Sequence, residues 1–314
     1  MATLQDNAKE IIALLERVKD SIPNNVMKMY FVEKPSHEKF NSFMPQVAND
    51  IQKKILEMVI PNVIKSLQLS VVMYNPVGVA DGEIELLNPT QVQFVQTFLN
   101  SINPDNLFTE MDQIRIGKIG FYCIELSMGK DIIYLFRQFS KMNRIRNSFI
   151  GHFFDNELRE MDNDFLGIDE YADMVLLDDM LIILNHISLE RIFNYRDEFL
   201  KITNAAIGEI VNQECMVNVD QFADDCRRDV RIMKRFTELM SKERLPLFFD
   251  HYDKVPEICH NLELDIDFDE DGKLIYREKS QLFHIINLMS DSYFRSLLAE
   301  RIGVAKTEEP INVH

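Results

Sequence analysis

Between residues 3 and 21, apolar side chains recur at three- and four-residue steps: Leu4, Ile11, Ile12, Leu14, Leu15 and Val18. Ile22-Pro23-Asn24 ends the run, so the spacing predicts an amphipathic helix. Val26–Val32 reads as a short strand, and Gln46–Leu67 as a second helix that Pro61 should break or kink. Val71–Tyr74 and Glu83–Leu87 read as strands on either side of Asn75-Pro76-Val77-Gly78, and Thr90–Leu99 as a helix. Asn103-Pro104-Asp105-Asn106 is the best candidate for a boundary.

Beyond it the pattern turns to β. Ile114–Leu126 and Ile132–Phe139 are β-rich runs joined by Ser127-Met128-Gly129-Lys130, a hairpin signal. Short strands follow at Phe149–Phe154, Phe165–Ile168, Met174–Leu177 and Leu181–Leu184. From Ser188 to about Asn261 the period is helical, then a second hairpin, Leu264–Arg277, precedes a helical tail, Gln281–Ile302. Strands grouped in the middle with helices at both ends predict an α+β fold rather than alternating βαβ units. The expected organisation is a mixed region over 1–110, then a domain over 111–314. That domain has a hairpin-rich antiparallel sheet over 114–185 and a helical part over 188–302.

Composition adds two constraints. The 314 residues hold 34 Lys and Arg against 51 Asp and Glu, a formal net charge of −17. Such a field opposes unselective binding to nucleic acid or anionic lipid, so a polyanion must be met by a segregated basic patch. The four cysteines (Cys123, Cys215, Cys226, Cys259) form no CxxC pair, which suits reduced thiols. The N-terminus carries no apolar leader, and the longest uncharged run, Leu87–Pro104, is too polar to span a bilayer. A cytoplasmic location is expected, with membrane contact only through a partner.

No GxGxxG, GxxxxGK[ST], GxSxG or HExxH motif is present, and no cofactor is expected. Three constellations bear on function. Asp267, Asp269, Asp271, Gly272 and Glu278 match positions 1, 3, 5, 6 and 12 of a calcium loop. The flanking alternation Leu264, Ile266, Phe268 and Leu274, Tyr276 has period 2, which favours a hairpin over calcium. The segment 155–179 holds ten acids against Arg159 alone, a net of −9. Paired carboxylates there could hold two metal ions about 4 Å apart for a nuclease. Glu125-Leu-Ser127 lacks the Lys that a PD-(D/E)xK site needs, so a solvated acidic face is favoured.

The third constellation is basic. Residues 115–146 carry Arg115, Lys118, Lys130, Arg137, Lys141, Arg144 and Arg146 against Glu125 and Asp131. If the hairpin turns at 127–129, Arg115 faces Lys141, and Lys118 faces Arg137 or Gln138. Like charges set opposite one another destabilise a sheet, and an anionic ligand relieves that. Phe136 and Phe139 lie alongside and read as core. A helix starting near Asn218, with Gln221 in a capping box, gathers Arg227, Arg228, Arg231, Lys234 and Arg235 in one arc. Phe222, Met233, Phe236 and Met240 take the other side. Both clusters are candidate phosphate contacts.

The segment Lys118-Ile-Gly-Phe-Tyr-Cys-Ile-Glu-Leu-Ser-Met-Gly-Lys-Asp-Ile-Ile-Tyr-Leu-Phe-Arg137 is distinctive. So are Asp173-Met-Val-Leu-Leu-Asp178, Ile182-Ile-Leu and Leu189-Glu-Arg-Ile-Phe-Asn-Tyr195. In that order, over roughly residues 115–300, they resemble the KwaB family of the bacterial Kiwa antiviral system. The resemblance implies an anti-phage effector that binds phage DNA and blocks replication or transcription without catalytic residues. It also implies a multi-pass membrane partner, KwaA, that recruits it to the inner membrane. A homo-oligomer, a dimer in the simplest case, would concentrate the basic surface of so acidic a chain. The alternative is a metal-dependent nuclease using 155–179, and a calcium-responsive adaptor stands third.

Overall fold

The computed structural model describes residues 4–20, 26–36, 39–88, 93–108, 118–139, 144–145, 151–154, 157–160, 165–193, 195–295 and 302–304. The chain divides into two compact units, Met1–Tyr74 with Gly78–Tyr195, and Asn75–Val77 with Arg196–His314. The fold is α+β.

The first unit begins with helix α1 (Leu4–Asp20) and the strands β1 (Met27–Ser36) and β2 (Lys39–Phe43). Helix α2 (Asn49–Leu67), strands β3 (Ser70–Met73) and β4 (Glu83–Leu87) and helix α3 (Gln93–Ser101) follow. The hairpin β5 (Ile119–Met128) and β6 (Asp131–Gln138) comes next. Short strands β7 (Arg144–Ile145), β8 (Gly151–Phe154), β9 (Glu157–Glu160) and β10 (Phe165–Leu166) pair as β7 with β10 and β8 with β9. Strands β11 (Met174–Leu177) and β12 (Met180–Ile183) and helix α4 (His186–Phe193) complete the unit.

Eight strands form one sheet in the order β2-β1-β5-β6-β11-β12-β4-β3, antiparallel except for β3 with β4. Because β1 pairs with β5 and β12 with β4, segments on both sides of residue 110 share that sheet. The division expected at 110 therefore falls inside one compact unit, and the contacts divide the chain after Tyr195.

Period-2 alternation gives the sheet two apolar faces. On one, Met29, Phe31, Ile124, Leu135, Val175 and Ile182 pack with Ile11, Leu15, Leu56 and Val63 of α1 and α2. Helix α2 runs through Pro61 without ending there. Its buried residues on both sides, Ile60 and Val63 among them, outweigh the lost hydrogen bond, a cost of about 3 kcal/mol. On the other face Phe121 and Phe136 meet Phe40 of β2, Phe98 of α3 and Phe193 of α4. Ring centroids there lie 5.1 Å apart for Phe98–Phe136 and 5.7 Å for Phe40–Phe121.

The second unit is built from α5 (Arg196–Asn212), β13 (Met216–Val217), α6 (Val219–Arg228), α7 (Val230–Ser241), α8 (Arg244–Asp250) and α9 (Val255–Asn261). The hairpin β14 (Asp267–Phe268) and β15 (Leu274–Ile275), helix α10 (Leu282–Met289) and the pair β16 (Tyr293–Arg295) and β17 (Ile302–Val304) follow. Phe222, Phe236, Tyr276, Ile285 and Ile286 centre its core. The helical tail expected to reach residue 302 stops at Met289. Asp291 takes φ +51°, outside the helical basin, and Tyr293 and Phe294 enter a strand.

Candidate nucleic-acid interface

The β5–β6 hairpin turns on Gly129 and Lys130, with Gly129 at φ +70°. A two-residue turn pairs Met128 with Asp131 and Tyr122 with Arg137. This corrects the sequence-based register by three residues, so Lys118 does not face Arg137. Lys118 is exposed at the start of β5. Arg115, Lys141 and Arg146 lie outside the described residues, and Arg144 is placed as backbone in β7 only.

Arg137 is engaged elsewhere. Its Nε and Nη2 donate to Asp169 at 2.9 and 2.6 Å, and its Nη1 donates to Asp173 Oδ1 at 2.8 Å. Asp173 is 1% exposed. Its other oxygen accepts the backbone N–H of Gln138 at 2.7 Å, and Asn185 Nδ2 donates to Oδ1 at 3.2 Å. Burial works against the charged guanidinium, yet the two carboxylates more than offset it and raise the pKa of Arg137. The exposed Tyr171 ring lies 5.5 Å from the guanidinium carbon. This bidentate ion-pair network clamps the segment before β11 to β6. Arg137 is thus a structural cation, because carboxylates accept from its Nε, Nη1 and Nη2. Phe136 and Phe139 are core, as the alternation predicts.

The same contacts bear on the acidic segment. Among its described members, Asp169 and Asp173 share one arginine, while Glu170, Asp178 and Asp179 are exposed. Among the described residues no group of three or more His, Cys, Asp or Glu side chains has metal-binding geometry.

In the second unit the basic run is two helices, not one. Asp229 is extended (φ −110°, ψ 108°) and caps α7 by accepting the Arg231 N–H at 3.0 Å. The single arc through Arg227 and Arg235 is therefore corrected, since a 100° step does not carry through an extended residue. The capping box at Asn218 is also absent. Asn218 has φ +61°, and its amide donates to Tyr276 O, while Gln221 Nε2 donates to Arg277 O.

Each cation has a defined setting. Arg227 donates to Asn204 Oδ1 at 2.9 Å and to Asp224 at 3.2 Å, and Arg228 is 4.0 Å from Asp224. Arg231 pairs with Asp229 at 3.0 Å while its side chain is 74% exposed. That hydrogen bond to the guanidinium holds the Asp229 carboxyl below its ordinary value, helped by the α7 N–H groups, while partial burial pushes the other way. Lys234 Nζ sits 5.8 Å from the Phe199 ring centre.

Arg231 and Arg235, neighbours at i and i+4 on α7, converge on one ring. Their guanidinium carbons lie 5.3 and 5.4 Å from the centre of Phe283 in α10. Arg235 Nη1 donates to the buried Asn287 Oδ1 at 2.8 Å, so its hydrogen-bond partner is a neutral amide. Cation–π contact and a fixed amide thus hold two like charges together on a half-buried phenyl. Arg231 gives its Nε and Nη2 to Asp229 at 3.3 and 3.0 Å, so an oxyanion here would meet the remaining donors of two guanidinium groups held on one ring.

The calcium-like segment is the β14–β15 hairpin. Asp269 Oδ1 accepts from the N–H groups of Asp271 (3.0 Å) and Lys273 (2.7 Å), and Gly272 takes φ +78° in the turn. Asp267 pairs with Arg277, and Glu278 with Gln281 forms the capping box of the turn entering α10. Glu278 is thereby used as a helix cap, and Asp267 faces a cation.

Sequence reading passed over two groups in the first unit. A cleft of about 1180 Å³ opens over the uncovered end of the sheet, lined by Tyr30, Met44, Lys130, Ile132 and Tyr134 among others. On its floor Glu125, 4% exposed, accepts from Lys28 Nζ (2.7 Å), Tyr30 Oη (2.7 Å) and Ser127 Oγ (3.2 Å). Burial, with Glu125 adding to it, pushes Tyr134 up to about 12. Lys28 reaches Glu125 from 97 residues away, a pairing that only the β1–β5 register reveals. At the far strands, His186 Nδ1 meets the buried Glu85 at 2.7 Å, and its Nε2 is 3.3 Å from Glu190.

No curated protein matches this chain, and no solved structure does. Among the described residues no helix is long and apolar enough to cross a membrane. The family model described as Kiwa protein KwaB-like matches residues 116–299, more than half of the chain, and the chain belongs to that family as a component of Kiwa anti-phage defence.

Proposed function

We propose that the chain is a non-enzymatic DNA-binding effector that holds phage DNA by its phosphates and so blocks replication or transcription. It works at the inner face of the membrane with KwaA, the membrane partner of the system, and as a homo-oligomer. The observation that carries this reading is the convergence of Arg231 and Arg235 on Phe283, with Asn287 orienting the second guanidinium. Two oriented guanidinium groups suit a phosphodiester chain, and contacts to phosphate do not distinguish one base from another. Arg227, Arg228 and Lys234 on the same pair of helices extend the footprint. The net charge of −17 weakens any single encounter, and an oligomer at a membrane offsets this by presenting several clamps at once.

Binding of fluorescent duplex DNA across a salt series tests the reading. About five phosphate contacts give a log K against log salt slope near −4 to −5, made shallower where salt also screens the acidic surface. The pair Arg231→Gln with Arg235→Gln should weaken binding alike for all sequences and flatten the slope by about 2. Retention of wild-type affinity and slope by this folded double variant would remove the clamp from the interface.

A further inference from the structure

We infer that the clamp of the second unit selects unpaired DNA, a phosphate resting on Arg231 and Arg235 and the attached base entering the groove on the other side of α10. The inference rests on the DNA-binding reading above and specifies its ligand.

Asn287 joins the two features. Its Oδ1 holds Arg235, and the same residue lines a groove of about 390 Å³ between α8, α9, α10 and β16. That volume lies within the range of small-ligand pockets, roughly 300–1,000 Å³. Its lining is apolar and includes three aromatic rings, Phe248, Tyr293 and Phe294. Phe294 is 50% exposed and Ile258 37%, an unusual cost for large apolar side chains gathered at one place. The Phe294 ring is also seated. It lies across Gly303 of β17, where a Cβ would come within 2.7 Å of the ring, so only glycine leaves room for it. Tyr293 is fixed from the other side, its hydroxyl 2.7 Å from His284 Nδ1.

Polar groups rim this lining. Arg244, His251 and Lys254 line the groove, and Lys254 is exposed. The acid of the lining, Asp291, follows α10 with φ +51° and can accept from the Watson–Crick edge of an unpaired base, the N3–H of thymine or the exocyclic amine of another base. Aromatic rings that take a base face, beside cations that take the backbone, are the combination by which proteins hold single strands. Paired DNA offers no such face, because its bases are stacked and only their edges reach the grooves.

The test uses the full chain, a 20-nucleotide oligo(dT) and a duplex of the same length, compared at matched points of one salt series. The single strand should bind about 10-fold more tightly than the duplex. Phe294→Ala should lower single-strand affinity by about 10-fold, within the range found for one stacked base, and leave duplex affinity unchanged. Lys254→Gln should flatten the single-strand salt slope by about 0.7. An unchanged melting temperature for Phe294→Ala, which is exposed, keeps misfolding out of the comparison. Equal binding of both forms, unaffected by Phe294→Ala, would overturn the selection of unpaired DNA while leaving the clamp as a duplex contact. Absence of binding to either form would overturn the DNA-binding reading together with this one.

Discussion

Arg137 in the first unit and the Arg231–Arg235 pair in the second are cations of one type in basic stretches of similar density, and they end in opposite roles. Arg137 lies between two carboxylates, one of them buried, and its hydrogen-bonding edge is filled. Arg231 and Arg235 rest on a phenyl ring, one with a partly buried carboxylate partner at its side and one with an amide. A guanidinium shared between two carboxylates holds strands together, while one lying on an aromatic face with a single polar partner keeps part of its donor set for an incoming anion. Counting arginines therefore misjudges an interface; what matters is the group that each one faces.

Removing Arg137 is the most severe way to break the comparison. Arg137→Met leaves the Asp173 carboxylate buried without its cation, and the expected loss is about 3–5 kcal/mol of stability. Denaturant unfolding measures it; a loss under about 1 kcal/mol would show that Arg137 is not the keystone of the β6–β11 junction. Any effect of this variant on DNA binding should follow the loss of folded protein.

Asp229→Asn sharpens the other side. Asparagine caps a helix about as well as aspartate, so the melting temperature should change little. Losing the negative charge beside Arg231 should tighten DNA binding several-fold and steepen the salt slope. Weaker binding would mean that Asp229 orients Arg231 rather than competing for it.

The same carboxylate sets a pH dependence. Its folded-state pKa is held below the ordinary value by the Arg231 hydrogen bond, so its contribution is fully present above the unfolded-state value near 4. That contribution disappears as pH falls through the lower, folded value. Between pH 5 and 3 the wild type should lose slightly more stability than Asp229→Asn, and parallel curves would argue against the pair.

The smallest effect is expected at the late hairpin. Glu278→Gln keeps the reach of the cap and should leave the unfolding free energy within about 0.5 kcal/mol of wild type, and the melting temperature unchanged, with calcium or chelator alike. A calcium-dependent rise lost in this variant would restore the cation-loop reading.

Much of the molecule is written locally. The α1 stripe, the β5–β6 and β14–β15 hairpins, the core positions of Phe136, Phe139, Phe222 and Phe236 and the α+β class follow from periodicity and turn glycines, which act over a few residues. Asp229 was legible too, as an N-cap residue ahead of an apolar period, although the helical pattern on both sides of it hid the break. The hairpin register was not legible to the residue. Turn length is a choice among nearby geometries, and a shift of three residues alters which cations face one another.

What only tertiary structure decided is the partner of each charge. Asp173 reaches Arg137 across 36 positions, Glu125 reaches Lys28 across 97, and Asn287 reaches Arg235 across 52. Each distance is closed by a sheet register or a helix packing that no local pattern specifies. Charge composition limited what the surface could bind, and packing settled which cations were left to bind it. The physical reason is range: backbone propensity and side-chain period act within a turn or a strand, whereas an ion pair exists only after the chain has folded back on itself.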